Sequence, residues 1–201
     1  MRVEGTFSEP NGPTRLLVAR LIISLFREQC KDIVLKKPTI EQFCADSVIL
    51  VDTREQTPFF QTGLYIGEKY ITPNAERATL KTGDYSLEGL IDIVAIERKS
   101  RADFWQSITR ERERFEREIQ RLAEFKNKAV VIEGDFTSCI DAPLHGRRIS
   151  PLSVSATVAS WNVKYGVPFY FLRNRRDAEI FVLQTLYFSV AYERTTTDGT
   201  R

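Results

Sequence analysis

Three acidic residues lie at or near the ends of predicted strands. Asp52 ends the apolar run "SVILVD", Asp84 lies in "TGDYS", and Glu97 lies near the end of the run "DIVAIER". Strand ends that meet at one sheet edge bring such carboxylates together, and their mutual repulsion is relieved by a divalent cation. Hard oxygen ligands without histidine favour Mg²⁺ or Mn²⁺ over zinc. Each acid alone also has a simpler interpretation, because Asp52 could cap a turn and "TGD" is ordinary turn chemistry.

A lysine follows closely after the third acid, in "IDIVAIERKSRADFW" (91–105). In a strand, Ile96 and Arg98 point to one face while Glu97 and Lys99 point to the other. The simplest interpretation is a salt bridge at a solvated strand end. Beside a metal, Lys99 could instead orient water or stabilise charge on a phosphate. The pattern D…E-x-K is typical of metal-dependent phosphodiester hydrolysis.

Asp103 is open to two interpretations. The stretch "SRAD" (100–103) resembles a capping box, with serine at the N-cap and an acid three residues later, which would make Asp103 purely structural. The same residue also follows Glu97 and Lys99 closely enough to support the site.

The helical pattern over about 101–126 places four arginines within an arc of about 60°. They are Arg110, Arg114, Arg117 and Arg121. Ile108, Phe115 and Ile119 gather on another face that can dock on a sheet. The arginines then form either a solvated face with i, i+4 pairs such as Glu113 with Arg117, or a stripe that tracks DNA phosphates.

The surrounding elements indicate one α/β domain. Apolar runs predict strands at 47–52, 92–98, 129–135 and 167–172, and helical patterns occupy about 101–126, 151–164 and 176–192. Strands that alternate with helices indicate a mixed central sheet. An apolar pattern from residue 14 to about 30 predicts a helix within an N-terminal helical arm (1–45), and 193–201 is predicted to be a flexible tail.

Composition excludes several classes of protein. The net charge is only +2, so nucleic-acid binding must depend on local patches. His145 is the only histidine, which argues against zinc sites and Ser-His or Cys-His catalysis. Three scattered cysteines (Cys30, Cys44 and Cys139) favour reduced thiols in an intracellular compartment, the cytoplasm or nucleus. No apolar segment reaches the roughly 20 residues of a membrane span.

Several separated segments occur together in a recognisable order: "VDTRE", "GDY", "IERKSRAD" and "RFEREIQRL…VVIEGD". This order resembles the nuclease domain of the XPF-type structure-specific endonucleases, over about residues 46–192. The resemblance implies a restriction-endonuclease-like fold, in which a mixed central sheet is flanked by helices. Many members continue into tandem helix-hairpin-helix modules that grip DNA, and residues 1–201 contain none, which leaves the substrate open.

The resemblance also implies roles for individual residues. The metal ligands would be Asp52, Asp84 and Glu97. The catalytic residues would include Asp84, Glu97 and Lys99, with Arg98 and Arg54 as positioning groups and Glu55 and Asp103 as supporting acids. Arg54 would also join the four arginines of the helix in binding DNA, and Arg114 matches the start of the helix that follows the motif.

We therefore expect an endonuclease that uses Mg²⁺ or Mn²⁺ to cleave branched or flapped duplex DNA in repair or recombination. The alternative is a non-catalytic nuclease-like scaffold subunit, although such a partner should have lost some of the acids. An RNA-binding α/β module would explain the arginines but not the acids. The apolar C-terminal half predicts a homodimer, through residues that include Val154, Val158, Trp161, Phe181, Leu183, Leu186 and Tyr187.

Overall fold

The computed structural model describes residues 37–141 and 150–197. The predicted helix at 14–30, most of the N-terminal arm and His145 lie outside these residues. Eight strands occur within them: β1 (Ile49–Asp52), β2 (Leu64–Ile66), β3 (Lys69–Ile71), β4 (Ala75–Ala78), β5 (Tyr85–Leu87), β6 (Val94–Ser100), β7 (Asn127–Glu133) and β8 (Phe169–Leu172). The helices are α1 (Ile40–Asp46), α2 (Arg101–Ile108), α3 (Arg112–Ala123), α4 (Phe136–Asp141), α5 (Pro151–Tyr165) and α6 (Arg175–Thr197).

Six strands form one mixed sheet in the order β4-β1-β5-β6-β7-β8. Strand β1 pairs parallel with β4 and antiparallel with β5, and β5 pairs antiparallel with β6. Strands β6, β7 and β8 are parallel to one another. The remaining strands, β2 and β3, form a separate antiparallel hairpin. The predicted α/β fold, with a mixed central sheet flanked by helices, is therefore confirmed.

Both faces of the central strands are buried, which explains their continuous apolar runs. On one face, Val94 and Ile96 pack in a core cluster with buried residues of β1, α1 and α6. On the other face, Ala95 packs in a second cluster with residues of α2, α3 and α5. Strand β6 thus presents alternate side chains to two separate cores.

The predicted continuous helix over 101–126 is wrong, because the chain makes a turn at residues 109–111 between α2 and α3. The Thr109 hydroxyl donates to the carbonyl of Trp105 at 2.7 Å, and the Glu111 amide donates to the carbonyl of Gln106 at 3.0 Å. At the other end of the domain, α6 continues to Thr197, into the segment predicted as a flexible tail.

The two cysteines in the part of the chain that the structure describes, Cys44 and Cys139, are buried free thiols. Burial raises the pKa of each thiol to about 11. Both groups therefore remain protonated at neutral pH, in keeping with the expectation of reduced thiols.

Gly83 and Gly89 provide a matched test of the backbone that leads into Asp84. Both have left-handed φ values, +76° and +77°, which cost another residue about 1–2 kcal/mol. A Cβ on Gly83 would also lie 3.0 Å from the carbonyl oxygen of Ile96, whereas a Cβ on Gly89 meets nothing within 4 Å. We expect Gly83→Ala to lower the free energy of unfolding, measured in urea, more than Gly89→Ala does. Equal losses would contradict this account of the close approach.

Candidate active site

An open cleft of about 650 Å³ lies where β1 and β6 end and β5 begins. Its lining is almost entirely polar and carries five acidic and six basic side chains. The acidic residues are Glu55, Asp84, Glu97, Asp103 and Glu118, and the basic residues are Arg54, Lys81, Arg98, Lys99, Arg114 and Arg121. The cleft therefore collects most of the residues that the sequence singles out.

Asp84 is held in the cleft by the backbones of two neighbouring strands. Its amide donates to the carbonyl of Ile96 at 2.8 Å, and its carbonyl accepts from the amide of Asp52 at 2.8 Å. Its Oδ2 accepts the backbone N–H of Arg98 at 2.7 Å. Burial and the neighbouring charge of Glu97 raise the pKa of Asp84 well above its ordinary value. The fold thus keeps this carboxylate beside another acid at an electrostatic cost.

Glu97 and Lys99 lie on the same face of β6, as the strand alternation predicts. The Lys99 Nζ lies 2.6 Å from Glu97 Oε1 and 3.3 Å from Glu118 Oε2, and 4.8 Å from the centre of the Phe115 ring. Burial raises the pKa of Glu97, which is only 8% exposed, against the opposing effect of Lys99. Burial opposes the charge on Lys99, but Glu97 and Glu118 outweigh it and raise its pKa. Lys99 is therefore a fixed cation at neutral pH.

Arg98 extends from the opposite face of β6. Its Nε donates to Glu133 Oε1 at 2.7 Å, and its Nη1 lies 3.1 and 3.2 Å from the two carboxylate oxygens of Glu55. Nη1 also donates to the Thr57 hydroxyl at 2.9 Å. Through these contacts the Arg98 side chain holds two acids and the loop that carries Thr57 beside the cleft.

Asp52 occupies a different position from the one that the sequence predicts. It is buried outside the cleft lining, and its two oxygens accept from the amide, Nε and Nη2 of Arg54 and from the amide of Leu80, at 2.7–3.1 Å. Burial opposes its ionisation, but these hydrogen bonds outweigh it and lower the pKa of Asp52. The Asp52 backbone adjoins Asp84, but its carboxylate does not line the cleft with those of Asp84 and Glu97 and is already bound by four N–H donors. Asp52 instead fixes Arg54 and the segment that leads to Asp84.

Asp103 lies on the exposed edge of the cleft and combines both interpretations. The Ser100 hydroxyl accepts the Asp103 amide at 3.1 Å and donates to Asp103 Oδ2 at 2.6 Å. Ser100 is the N-cap of α2, so the structural role is present. The carboxylate nevertheless lines the cleft and is available as a supporting acid.

The structure brings two of the four predicted helix arginines to the cleft. Arg114 and Arg121 line it, whereas Arg110 lies in the turn before α3 and Arg117 is exposed outside the lining. Arg114 is 66% exposed and pairs with Glu111 at 3.1 Å and Glu118 at 3.4 Å. Arg54, also in the lining, donates to the carbonyl of Leu80 at 2.9 Å. A single stripe of four arginines is therefore wrong, because Arg110 does not belong to α3.

Sequence reasoning missed two acids of this region, Glu118 and Glu133. Glu133 ends the apolar run of β7, so the search for acids at strand ends also applies to it, whereas Glu97 lies at the middle of β6, which continues to Ser100. Glu118 lies four residues after Arg114 on α3, and this spacing indicates the observed ion pair. Neither signal reveals that Glu118 reaches Lys99.

Asp84 and Glu97 fit a divalent cation. Within residues 37–141 and 150–197, no three His, Cys, Asp or Glu side chains group closely enough to hold a metal. Mg²⁺, however, is usually bound by one or two carboxylates and keeps several waters. Asp84 Oδ1 and Glu97 Oε2 accept no hydrogen bond from the described part of the chain, and burial raises both pKa values. A cation between these carboxylates would relieve their repulsion.

A mixed sheet that gathers acids and a lysine at one edge defines a nuclease-like α/β domain. The ERCC4 domain family model matches residues 51–184, and the chain belongs to this family. The match confirms the resemblance to the XPF-type nuclease family. No curated protein sequence matches the chain significantly.

Two solved structures share the fold. XPF from Aeropyrum pernix is 20% identical, with a TM-score of 0.54, and the match covers 71% of this chain and 65% of that chain. XPF from Aeropyrum pernix in complex with DNA gives the same identity and TM-score and covers 72% and 65% of the two chains. This chain therefore spans slightly less than two thirds of these proteins. Among its described helices, none has both the length and the apolar character that crossing a membrane requires.

The raised pKa of Asp84 predicts that its charge destabilises the metal-free protein. A carboxyl with a raised folded pKa favours the fold when protonated, and this contribution is lost as pH rises through the folded pKa. We expect Asp84→Asn, which keeps an acceptor for the Arg98 amide, to raise the melting temperature at neutral pH in EDTA. This gain in melting temperature should disappear near pH 4, around the ordinary pKa range of carboxyl groups. The exposed Asp92→Asn should leave the melting temperature unchanged, and a lower value for Asp84→Asn at neutral pH would contradict the prediction.

Proposed function

We propose that this protein is a metal-dependent endonuclease that hydrolyses phosphodiester bonds in branched or flapped duplex DNA, in repair or recombination. The observation that carries the proposal is the meeting of Asp84, Glu97 and Lys99 in one open cleft. Two carboxylates with raised pKa values and one lysine of raised pKa give a site for a divalent cation beside a fixed positive charge. The DNA complex of Aeropyrum pernix XPF supports the choice of DNA as the substrate class.

Asp84, Glu97 and Lys99 have different roles in this proposal. Asp84 and Glu97 would hold Mg²⁺ or Mn²⁺, which supplies positive charge against the charge that develops on the phosphate and lowers the pKa of water. Lys99 acts as an electrostatic and orienting group, because its raised pKa keeps it protonated and prevents it from acting as a base. Glu97 and Glu118 occupy two sides of its ammonium group. An ammonium carries three N–H donors, so one remains for a phosphate oxygen or for water.

The first test is cleavage of labelled flap, fork, four-way junction and plain duplex DNA in Mg²⁺, Mn²⁺ or EDTA. We expect a divalent metal to be required, and Asp84→Ala, Glu97→Ala and Lys99→Ala each to lower the rate by about 10²-fold or more. The exposed Asp92→Ala is the matched control and should cleave normally. Cleavage that persists in Glu97→Ala or in EDTA would rule out the mechanism. DNA binding by the wild type without cleavage would favour the scaffold alternative.

The cleft arginines provide a test of DNA binding. We expect Arg114→Glu and Arg121→Glu to weaken binding to all DNA sequences, because phosphate contacts carry no sequence information. Each lost contact should reduce the slope of log K against log salt by about 1. Arg110→Glu makes the same charge change outside the cleft and should weaken binding less. Equal effects of the three variants in fluorescence anisotropy titrations would show that the cleft has no special part in binding.

We also propose a homodimer, through an exposed face of α5. Val154, Trp161, Leu183 and Leu186 are buried within the two cores, so these residues complete the domain rather than form an interface. Helix α5 instead exposes Leu152 (76%) and Val163 (88%). The small residues Ala156 and Ala159 lie between them at spacings of four and three, and both are exposed. This spacing places all four side chains on one helix face, where a second copy can pack.

Light scattering tests the dimer. We expect the wild type to have about twice the 23.2 kDa mass of one chain at micromolar concentration. Leu152→Glu with Val163→Glu should yield monomers, because each copy would bring two charges into the buried α5 surface. Ile91→Glu changes an exposed apolar residue in the turn between β5 and β6 and should leave the mass of the dimer intact. A wild-type mass of 23.2 kDa, with cleavage intact, would exclude the dimer.

A further inference from the structure

The first two turns of α6 hold the loop at residues 53–60, which forms one wall of the cleft. Arg175 Nη2 donates to the backbone carbonyls of Thr57 at 2.8 Å and Pro58 at 2.7 Å. One turn later, Glu179 Oε1 accepts the amide of Phe60 at 2.7 Å. Helix and loop are separated by more than 110 residues of sequence, so these contacts come from the tertiary fold.

The same arginine also reaches the acid that holds Arg98. Arg175 Nη1 donates to Glu133 Oε1 at 3.0 Å, and Arg98 Nε donates to the same oxygen at 2.7 Å. The two guanidinium groups lie 4.8 and 5.3 Å from the centre of the Phe59 ring. Since Arg98 in turn binds Glu55 and Thr57, the contacts form a closed ring from the loop through Arg98, Glu133 and Arg175 back to the loop.

We propose that Arg175 is a positioning residue for the cleft: it holds the 53–60 loop and, through Glu133, fixes Arg98 and Glu55 beside Asp84 and Glu97. The inference rests on the proposed nuclease function. Arg175 does not itself line the cleft, and all its polar contacts end on the loop or on Glu133. A guanidinium suits this task better than an ammonium, because its planar fork binds a carboxylate and two carbonyls at once.

A kinetic comparison tests the effect on the reaction. Arg175→Ala should lower kcat by about 10²-fold, the scale that follows from misplacing a catalytic group by about 1 Å. KM and the Kd for DNA should remain unchanged, because no cleft-lining cation is removed. The matched control is Arg173→Ala, which removes the same charge two residues upstream and breaks only an exposed ion pair with Asp177. Added guanidinium ion should restore part of the activity of Arg175→Ala, and Arg175→Lys should be intermediate.

Amide hydrogen exchange, measured by mass spectrometry, tests whether Arg175 holds the 53–60 loop, and this measurement does not require activity. Three amides of the loop serve as probes: Thr57 donates to Glu55, Phe59 to the Tyr85 hydroxyl and Phe60 to Glu179. We expect their exchange to accelerate in Arg175→Ala and to match the wild type in Arg173→Ala.

The two measurements separate the possible failures. Unchanged exchange in Arg175→Ala would show that Arg175 does not hold the 53–60 loop. Faster exchange with an unchanged kcat would show that holding the loop does not position the cleft residues. A fall in kcat that guanidinium does not rescue, and that only follows a lower melting temperature, also overturns the positioning role, since it would reflect unfolding. If the wild type cleaves no DNA, the proposed function fails, and the exchange comparison still decides whether Arg175 holds the 53–60 loop.

Discussion

The central constraint on the structure is the placement of two carboxylates, Asp84 and Glu97, in one cleft, because the surrounding contacts must compensate their charges. Burial raises the pKa of both carboxyls, and the charge of Glu97 adds to the shift of Asp84, so each charge at neutral pH opposes folding. The fold tolerates this arrangement because the Arg98 amide binds one acid and the Lys99 ammonium lies against the other. Local destabilisation of this kind is common where a site must receive a charged ligand. A cation that neutralises the pair would therefore stabilise the protein.

The alternation of side chains along β6 places Glu97 and Lys99 on one face of the sheet and Arg98 on the other. Glu97 and Lys99 extend into the face that α3 covers, where Glu118 and Phe115 surround the ammonium. Arg98 extends to the other face and connects Glu133 with the loop that carries Glu55. One residue of slippage in the register of β6 would exchange the two sets, and the seven paired positions between β6 and β7 prevent this.

The longer elements and the cleft acids could be predicted from the sequence, because both leave local signals. Buried strands such as β6 and β7 appear as continuous apolar runs, and Asp84, Glu97 and Lys99 follow from strand ends and alternation. Strands β2 to β5 have only three or four residues, several of them polar, and their pairing depends on distant partners. The hydrogen bond from the Leu80 amide to the Asp52 carboxylate, across 28 residues, could not be predicted for the same reason. Helix periodicity likewise continues across residues 109–111, where the chain turns.

The most direct test of the account is the melting temperature of the DNA-free protein during titration with Mn²⁺ or Mg²⁺ at neutral pH. A ligand that binds only the folded state stabilises it by about 2.7 kcal/mol at 100 times its Kd. We expect the melting temperature of the wild type to rise with metal concentration, and Asp84→Asn combined with Glu97→Gln to remove the response. A wild-type melting temperature that does not change with either metal, or an equal rise in the double variant, would contradict this expectation.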